Sequence, residues 1–210
     1  MALYLDSADV DDARQAAALG FVAGATTNPT LIARSGRPGE QVIADLAAVL
    51  PGTIFYQVTA PPGPELDDEM ARLRAISDRV AFKIPCTLDY LAALHALPRA
   101  EVTCAVTAVY SPAQAYIAAQ AGARYAIPYV NRATRLCGDG PALVADLAAI
   151  LYGTDCQILA ASIKDPAEAA ATLLAGAHHL TLPWSVLASL AAHPLTDQAL
   201  EEFRRAGQGT

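Results

Sequence analysis

The strongest constraint on the fold is the regular alternation of short strand-like runs with alanine-rich helical stretches along the whole chain. The strand-like runs recur about every 25 residues, which is typical of a closed parallel barrel. Eight of them are predicted, at residues 3–6, 23–27, 53–58, 80–84, 102–107, 125–128, 157–161 and 179–182. Amphipathic helices are predicted between them at residues 8–19, 40–50, 66–76, 111–121 and 141–151.

The competing architecture is a doubly wound open sheet, which would usually carry a glycine-rich turn after its first strand. Here Asp6 is followed by Ser-Ala-Asp, which has no such fingerprint. We therefore predict a single-domain (β/α)8 TIM barrel over residues 1–194. Residues 195–210 follow a proline and fall outside the eightfold count, so they are predicted to form an extra C-terminal helix and tail.

The net charge of −7 argues against nucleic acid or an anionic membrane as the main partner, because both select basic surfaces. It remains compatible with a small sugar phosphate, which needs only a few well-placed donors. No apolar run approaches the roughly 18 residues of a membrane span. The first residues show no basic region ahead of an apolar one, which predicts no signal peptide. Four cysteines without a Cys-x-x-Cys pair favour a reducing, cytoplasmic location.

The basic residues are distributed unevenly: of 14, only Lys83 and Lys164 are lysines and the rest are arginines. A guanidinium stays protonated, whereas a lysine amine can be neutralised by burial and act as a nucleophile. Both lysines follow apolar, strand-like segments. They are either ordinary strand-end lysines or residues whose chemistry requires an amine.

Polar residues stand at the predicted strand ends, whereas the strand bodies are nearly all aliphatic. In a (β/α)8 barrel the carboxyl ends of the strands meet at one rim, which carries the active site. A single polar residue at a strand end can be explained by the general polarity of loops. Polar residues at seven of the eight strand ends are harder to explain in this way. The candidate site residues at these ends are Asp6, Thr26, Asn28, Gln57, Lys83, Thr107, Tyr129, Ser162 and Lys164.

Lys83 has the surroundings that an imine-forming lysine needs. Its apolar neighbours on the strand would lower the pKa of the amine and leave more neutral nucleophile near pH 7. Asp6, at the same rim, is predicted to serve as general base. Tyr129, with Thr107 and Gln57, is predicted to orient a water for proton transfer.

A phosphate cradle is predicted from Arg132, Ser162 and Lys164, which offer a guanidinium fork, a hydroxyl and a point charge. The adjacent pair His178 and His179 does not predict a metal site, because neighbouring residues of a strand point to opposite faces.

Six short motifs, in order and with matching spacing over residues 3 to 203, resemble those of the short transaldolases and fructose-6-phosphate aldolases. They are Leu5-Asp6, Thr26-Thr27-Asn28-Pro29, Lys83-Ile84-Pro85, Thr107-Ala108-Val109-Tyr110, Pro128-Tyr129-Val130-Asn131-Arg132 and Ala160-Ala161-Ser162. The resemblance implies a (β/α)8 barrel, a Schiff-base lysine on the fourth strand and homo-oligomers built from pentamers, with the C-terminal helix between subunits. It implies no metal and no organic cofactor.

The resemblance also implies roles for individual residues. Lys83 would be the nucleophile and Asp6 the acid/base. Thr26 and Asn28 would contact the substrate, and the phosphate ligands would be Arg132 and Ser162.

Two positions separate the chemistries within the family that the chain resembles. Transaldolases carry Glu on the third strand and Phe on the sixth, whereas this chain has Gln57 and Tyr129, as in the aldolase branch. A phenol and an amide holding a water can protonate the enamine and release a free ketone. A third position, Ile127, usually holds Ala or Ser. Its bulk beside the donor predicts a preference for hydroxyacetone over dihydroxyacetone.

The sequence therefore predicts a class I aldolase that joins dihydroxyacetone or hydroxyacetone to glyceraldehyde 3-phosphate or a similar aldehyde, reversibly. The alternative within the family is a transaldolase that passes a dihydroxyacetone unit between sugar phosphates. The alternative from another class is a sugar-phosphate-binding barrel without catalytic activity.

Overall fold

The computed structural model describes residues 1–98 and 100–208, and its centre is a closed barrel of eight parallel strands in sequence order. The strands are β1 (Ala2–Asp6), β2 (Val22–Thr26), β3 (Thr53–Gln57), β4 (Val80–Pro85), β5 (Cys104–Val109), β6 (Tyr125–Pro128), β7 (Gln157–Ala160) and β8 (His179–Leu182). The predicted (β/α)8 barrel is confirmed. All eight strands lie where the sequence predicts them, with ends shifted by at most two residues.

Eleven helices occur in the described part of the chain. They are α1 (Val10–Ala18), α2 (Pro29–Ser35), α3 (Gly39–Val49), α4 (Pro64–Ile76), α5 (Leu88–Ala96), α6 (Pro112–Ala121), α7 (Val130–Cys137), α8 (Gly140–Ile150), α9 (Pro166–Leu174), α10 (Trp184–Ser189) and α11 (Pro194–Gln208). The extra C-terminal helix is confirmed as α11. None of these helices has both the length and the apolar character needed to cross a membrane.

Two helices, α2 and α7, are additions to the simple strand–helix alternation and were not predicted. Each follows its strand at once and precedes the main helix of that unit. The Asn28 side chain caps α2 by accepting the Leu31 N–H, and Pro29 occupies its first turn, where a missing N–H is tolerated. These helices put Asn28 and Arg132 at the rim of the barrel.

The barrel interior is layered, because partners in a parallel ladder point to the same face. A buried middle layer packs Tyr4, Phe55, Ala81, Ala105, Ile127 and Leu159 together. One step further toward the carboxyl ends, Gln57 pairs with Lys83 and both face inward. The outer faces of the strands pack against the helices in a second, larger core. The apolar middle layer thus gives way to a polar layer at the carboxyl-terminal rim.

The loop after β3 is anchored by Glu69, a buried carboxylate of α4. Its oxygens accept hydrogen bonds from the Tyr56 hydroxyl at 3.0 Å, from the Thr59 hydroxyl at 2.8 Å and from the backbone N–H groups of Thr59 and Ala60 at 3.0 Å. Burial alone would raise the pKa of Glu69, but the hydrogen bonds from Ala60 and Thr59 outweigh it and the pKa is lowered. This carboxylate fixes the chain immediately beyond Gln57.

We expect Glu69→Ala to lower the free energy of unfolding by about 2–4 kcal/mol, because it leaves two hydroxyl and two backbone N–H groups without their charged acceptor. The matched control is Glu65→Ala on the exposed face of the same helix, with an effect within about 0.5 kcal/mol. Because folding lowers the pKa of Glu69, its contribution is complete above the pKa of the unfolded chain and is lost as pH falls through the folded pKa. Urea unfolding at pH 7 and below about pH 4 measures the effect of Glu69→Ala on the free energy of unfolding and its dependence on pH. Equal losses at the two pH values would contradict this account.

Candidate active site

Lys83 lies near the end of β4, inside the barrel, with only 3% of its surface exposed. Its Nζ donates a hydrogen bond to the Thr27 carbonyl oxygen at 2.8 Å. Burial lowers the pKa of the amine to about 8, and the negative charge of Asp6 partly offsets this. The result is an amine that is held in place and is neutral to a useful degree near neutral pH.

Asp6 ends β1 at the same rim and is held by a chain of hydroxyl groups. Thr26 donates to Asp6 Oδ1 at 2.9 Å, and Thr26 and Thr181 share a hydrogen bond of 2.7 Å. Because Thr26 gives its only hydroxyl proton to Asp6, Thr181 must be the donor to Thr26. Burial raises the pKa of Asp6, against the lowering effects of Lys83, the Thr26 hydrogen bond and Lys164. Burial thus shifts both Asp6 and Lys83 toward their neutral forms.

Tyr129 stands above the middle layer of the barrel with its hydroxyl bonded to Thr107. Thr107 Oγ1 donates to the Tyr129 oxygen at 3.1 Å, so the phenol keeps its own proton for another acceptor. Burial raises the pKa of Tyr129, and the hydrogen bond from Thr107 partly offsets this. The Arg132 guanidinium carbon lies 4.9 Å from the centre of the Tyr129 ring, and Tyr110 packs edge-on against the same ring. The phenol is therefore held protonated and in one orientation.

Gln57 faces inward beside Lys83. Its Oε1 is buried and accepts no hydrogen bond from the described residues. A buried acceptor without a partner costs free energy, so its lone pairs are available to a water or a substrate hydroxyl.

A cavity of about 500 Å³ joins these groups, and its volume suits a small metabolite. Eight of the eleven predicted site residues line it: Asp6, Asn28, Gln57, Lys83, Tyr129, Arg132, Ser162 and Lys164. Arg132 and Lys164 are exposed at its mouth. Ser162 has the left-handed φ of 60°, which is uncommon for a residue with a side chain, and such strained residues tend to cluster at active sites and ligand-binding sites.

The remaining three predicted residues lie behind the cavity wall. Thr26 and Thr107 are buried and donate hydrogen bonds to Asp6 and Tyr129. Ile127 faces the barrel interior, as strand alternation predicts, but it is fully buried in the middle layer beneath Tyr129. The cavity lining therefore does not support direct substrate contacts of Thr26 and Ile127. It also gives no support to the donor preference expected from Ile127.

Sequence reasoning missed Thr181, which completes the hydroxyl chain to Asp6. The signal was present, since Thr181 is a polar residue between Leu180 and Leu182 in the body of β8. Its partner Thr26 lies 155 residues away, and only the closure of β8 onto β1 brings the two together.

The chain matches known proteins over nearly its whole length. The family model described as Transaldolase/Fructose-6-phosphate aldolase matches residues 3–208. A probable transaldolase of Caulobacter vibrioides is 40% identical over 97% of this chain and 94% of its own. Those of Geobacter sulfurreducens and Desulforamulus reducens are 38% and 39% identical, over 97% of this chain and 96% and 95% of their own. Together with a barrel whose rim collects an amine, a carboxyl group and a phenol, these matches mean that the chain belongs to the transaldolase/fructose-6-phosphate aldolase family and is an enzyme of aldol-type carbon–carbon chemistry.

Proposed function

We propose that the protein is a class I aldolase of the fructose-6-phosphate aldolase type, which works through a Schiff base on Lys83. Its donor is a small ketone, dihydroxyacetone or hydroxyacetone, and its acceptor is glyceraldehyde 3-phosphate or a similar aldehyde. The observation that carries the proposal is the buried Lys83 amine with its pKa of about 8, in one cavity with Asp6. A barrel that only binds sugar phosphates would gain nothing from an amine kept partly neutral at a desolvation cost.

In the synthetic direction, the neutral amine attacks the ketone carbonyl, the carbon–nitrogen bond forms, and the carbonyl oxygen leaves as water after taking two protons. Loss of a proton from the neighbouring carbon gives an enamine, which attacks the aldehyde carbon. The aldehyde oxygen takes a proton, and hydrolysis of the imine releases the product and restores Lys83. Asp6 supports these transfers, because its raised pKa lets it hold a proton and return it.

The balance between an aldolase and a transaldolase depends on the fate of the enamine in the cleavage direction. The Tyr129 phenol and the free Gln57 acceptor can hold a water that protonates the enamine carbon, which releases a free ketone. This arrangement favours the aldolase. The second candidate is a transaldolase that passes the three-carbon unit to erythrose 4-phosphate, and the names of the relatives favour it.

The phosphate of the acceptor is assigned to Arg132, Ser162 and Lys164, which line the open side of the cavity. Charged hydrogen bonds from a guanidinium and an ammonium are stronger than those between neutral groups. The protein would need no metal or organic cofactor for this reaction, because the lysine imine itself withdraws the electrons.

We also propose a cytoplasmic homo-oligomer built from pentamers, in which α11 lies between subunits. The support is that α11 exposes Leu195, Leu200 and Phe203, each more than half accessible. An apolar surface of this kind is typical of an interface with another chain.

Incubation with dihydroxyacetone and cyanoborohydride should leave a reduced adduct on Lys83. Its rate of formation should rise with pH through about 8, since only the neutral amine attacks the carbonyl and burial has lowered its pKa. Peptide mass mapping separates Lys83 from Lys164, the only other lysine. Asp6→Asn should move the midpoint to lower pH, because the carboxylate charge that raises the amine pKa is removed.

Lys83→Met is the matched control for the trapping experiment, because the Met side chain is similar in length to that of Lys and brings no permanent charge into the barrel. It should abolish both the adduct and turnover while the fold persists by circular dichroism. An adduct confined to Lys164, or none with any small ketone, would overturn the mechanism.

Arg132→Ala and Lys164→Ala should each reduce kcat/KM for glyceraldehyde 3-phosphate about ten- to hundredfold, the effect of losing a charged hydrogen bond. Unphosphorylated glyceraldehyde should be nearly unaffected, because it lacks the group that these side chains bind. The steady-state constants for the two aldehydes give the comparison. Equal losses with both aldehydes would mean that the residues have structural roles only.

Tyr129→Phe should shift the products from free ketone toward transfer, because the enamine loses its proton donor while its capture by an aldehyde continues. The measurement is the ratio of ketone released to three-carbon unit transferred, with fructose 6-phosphate and erythrose 4-phosphate present together. Thr107→Val, which leaves the phenol but removes its positioning hydrogen bond, should give a smaller shift in the same direction. A ratio that stays constant or rises in Tyr129→Phe would exclude Tyr129 as the branch point.

A further inference from the structure

The proposed phosphate ligands come from two separate loops, and their relative position must be fixed by contacts between those loops. Arg132 belongs to the first turn of α7, after β6, whereas Ser162 and Lys164 follow β7. Two backbone hydrogen bonds connect the loops, from Val130 N–H to the Ala161 oxygen and from Asn131 N–H to the Ser162 oxygen, both at 2.9 Å. The residue before Arg132 therefore touches Ser162 directly.

A side-chain bridge adds to this connection. Asn131 Nδ2 donates to Glu168 Oε1 at 3.1 Å, and the backbone N–H of Lys164 donates to Glu168 Oε2 at 2.8 Å. Glu168 lies in the first turn of α9, whose N-terminus is capped by Asp165. Its two oxygens thus join the start of α7 to the turn at residues 162–164. We refer to Asn131 and Glu168 as the clamp.

The turn that the clamp holds is strained. Ser162 has a φ of 60°, a conformation that costs on the order of 1 kcal/mol or more for a residue with a side chain. Such a conformation persists only where surrounding contacts over-determine it. Here the backbone bond to the Ser162 oxygen holds one side of the turn, and Glu168 holds the Lys164 N–H on the other.

The charge of Glu168 makes its place beside a phosphate site unexpected, because a free carboxylate there would repel the ligand. Both of its oxygens are bound by N–H groups, so its hydrogen-bonding capacity is directed at the clamp. Capping of α9 alone does not explain the contact with Asn131, since Asp165 already accepts the N–H of Glu168 at 2.8 Å. The bond to α7 points to a role in relating the two loops.

We propose that Asn131 and Glu168 are positioning residues for substrate phosphate, which keep Arg132 in register with Ser162 and Lys164. This inference rests on the proposed phosphate-binding role of those three residues. The clamp touches neither Lys83 nor Asp6, so it acts on recognition of the phosphorylated aldehyde and leaves the carbon–carbon chemistry unchanged.

The clamp can be broken and rebuilt with its donor and acceptor exchanged. Asn131→Asp sets two carboxylates against each other, and Asn131→Ala removes the donor without adding charge. Both should raise KM for glyceraldehyde 3-phosphate by about tenfold, with kcat and the constants for unphosphorylated glyceraldehyde changed less than about twofold. In Asn131→Asp combined with Glu168→Gln, the new amide donates to the new carboxylate and its oxygen still accepts the Lys164 N–H. This double variant has the net charge of the original protein, and KM should return to within about threefold.

Arg132→Ala is measured in parallel, so that two failures can be told apart. If Arg132→Ala separates the two aldehydes but the Asn131 variants change both equally, or only lower the melting temperature, the clamp is merely structural and the inference is overturned. Failure of the double variant to recover KM overturns it as well. If Arg132→Ala itself does not separate the aldehydes, the phosphate site is wrongly assigned and the inference falls with it.

Discussion

The closure of β8 onto β1 is the constraint on which the rest of the site depends. It puts β8, β1 and β2 side by side, so that Thr181 reaches Thr26 and the two hydroxyls hold Asp6. An open sheet of the same strands would leave Asp6 on an edge, without this support. Closure also fixes which side chains face inward, since alternation along each strand allows only one choice once its neighbours are paired. The inward row then meets the solvent at one rim.

Within that frame, burial of Lys83 determines what the rim can do. A lowering of the amine pKa from 10.5 to about 8 increases the neutral fraction near pH 7 by roughly 300-fold. Without the charge of Asp6, burial would lower the pKa of Lys83 further, and the protonated amine would have no negative charge nearby to stabilise it. Asp6 moderates this effect, and its own pKa is raised by the same burial. Burial therefore shifts both groups away from a fully ionised pair, while the attraction between their charges limits the shift.

The fold and most of the site could be predicted from the sequence because both depend on local patterns. Strand runs, caps and polar strand ends are read over a few residues, and they correctly brought Lys83 and Asp6 to one cavity. Helices α2 and α7 could not be predicted, because they are short and interrupt the expected alternation. Thr181 and Glu168 were missed for another reason: their partners are 155 and 37 residues away. Only the folded barrel shows that Ile127 lies beneath the cavity.

Polar residues lie at both ends of the barrel interior, but their surroundings differ. At the amino end His179 shares a hydrogen bond with Gln157 at 2.9 Å and packs edge-on against Tyr4 and Tyr125. Burial lowers the pKa of His179 to about 4, so the ring is neutral and closes the barrel without introducing a charge. In (β/α)8 barrels the amino-terminal end contributes to stability, whereas the active site lies at the carboxyl-terminal end. At the carboxyl end Lys83 retains a titratable charge, and the polar groups around it keep donors and acceptors that the protein does not use. His179 Nδ1 is also buried without a partner among the described residues, so an unpaired polar atom alone does not distinguish the two ends. The carboxyl end differs because its unpaired acceptor, Gln57 Oε1, lies beside a partly neutral amine in an open cavity.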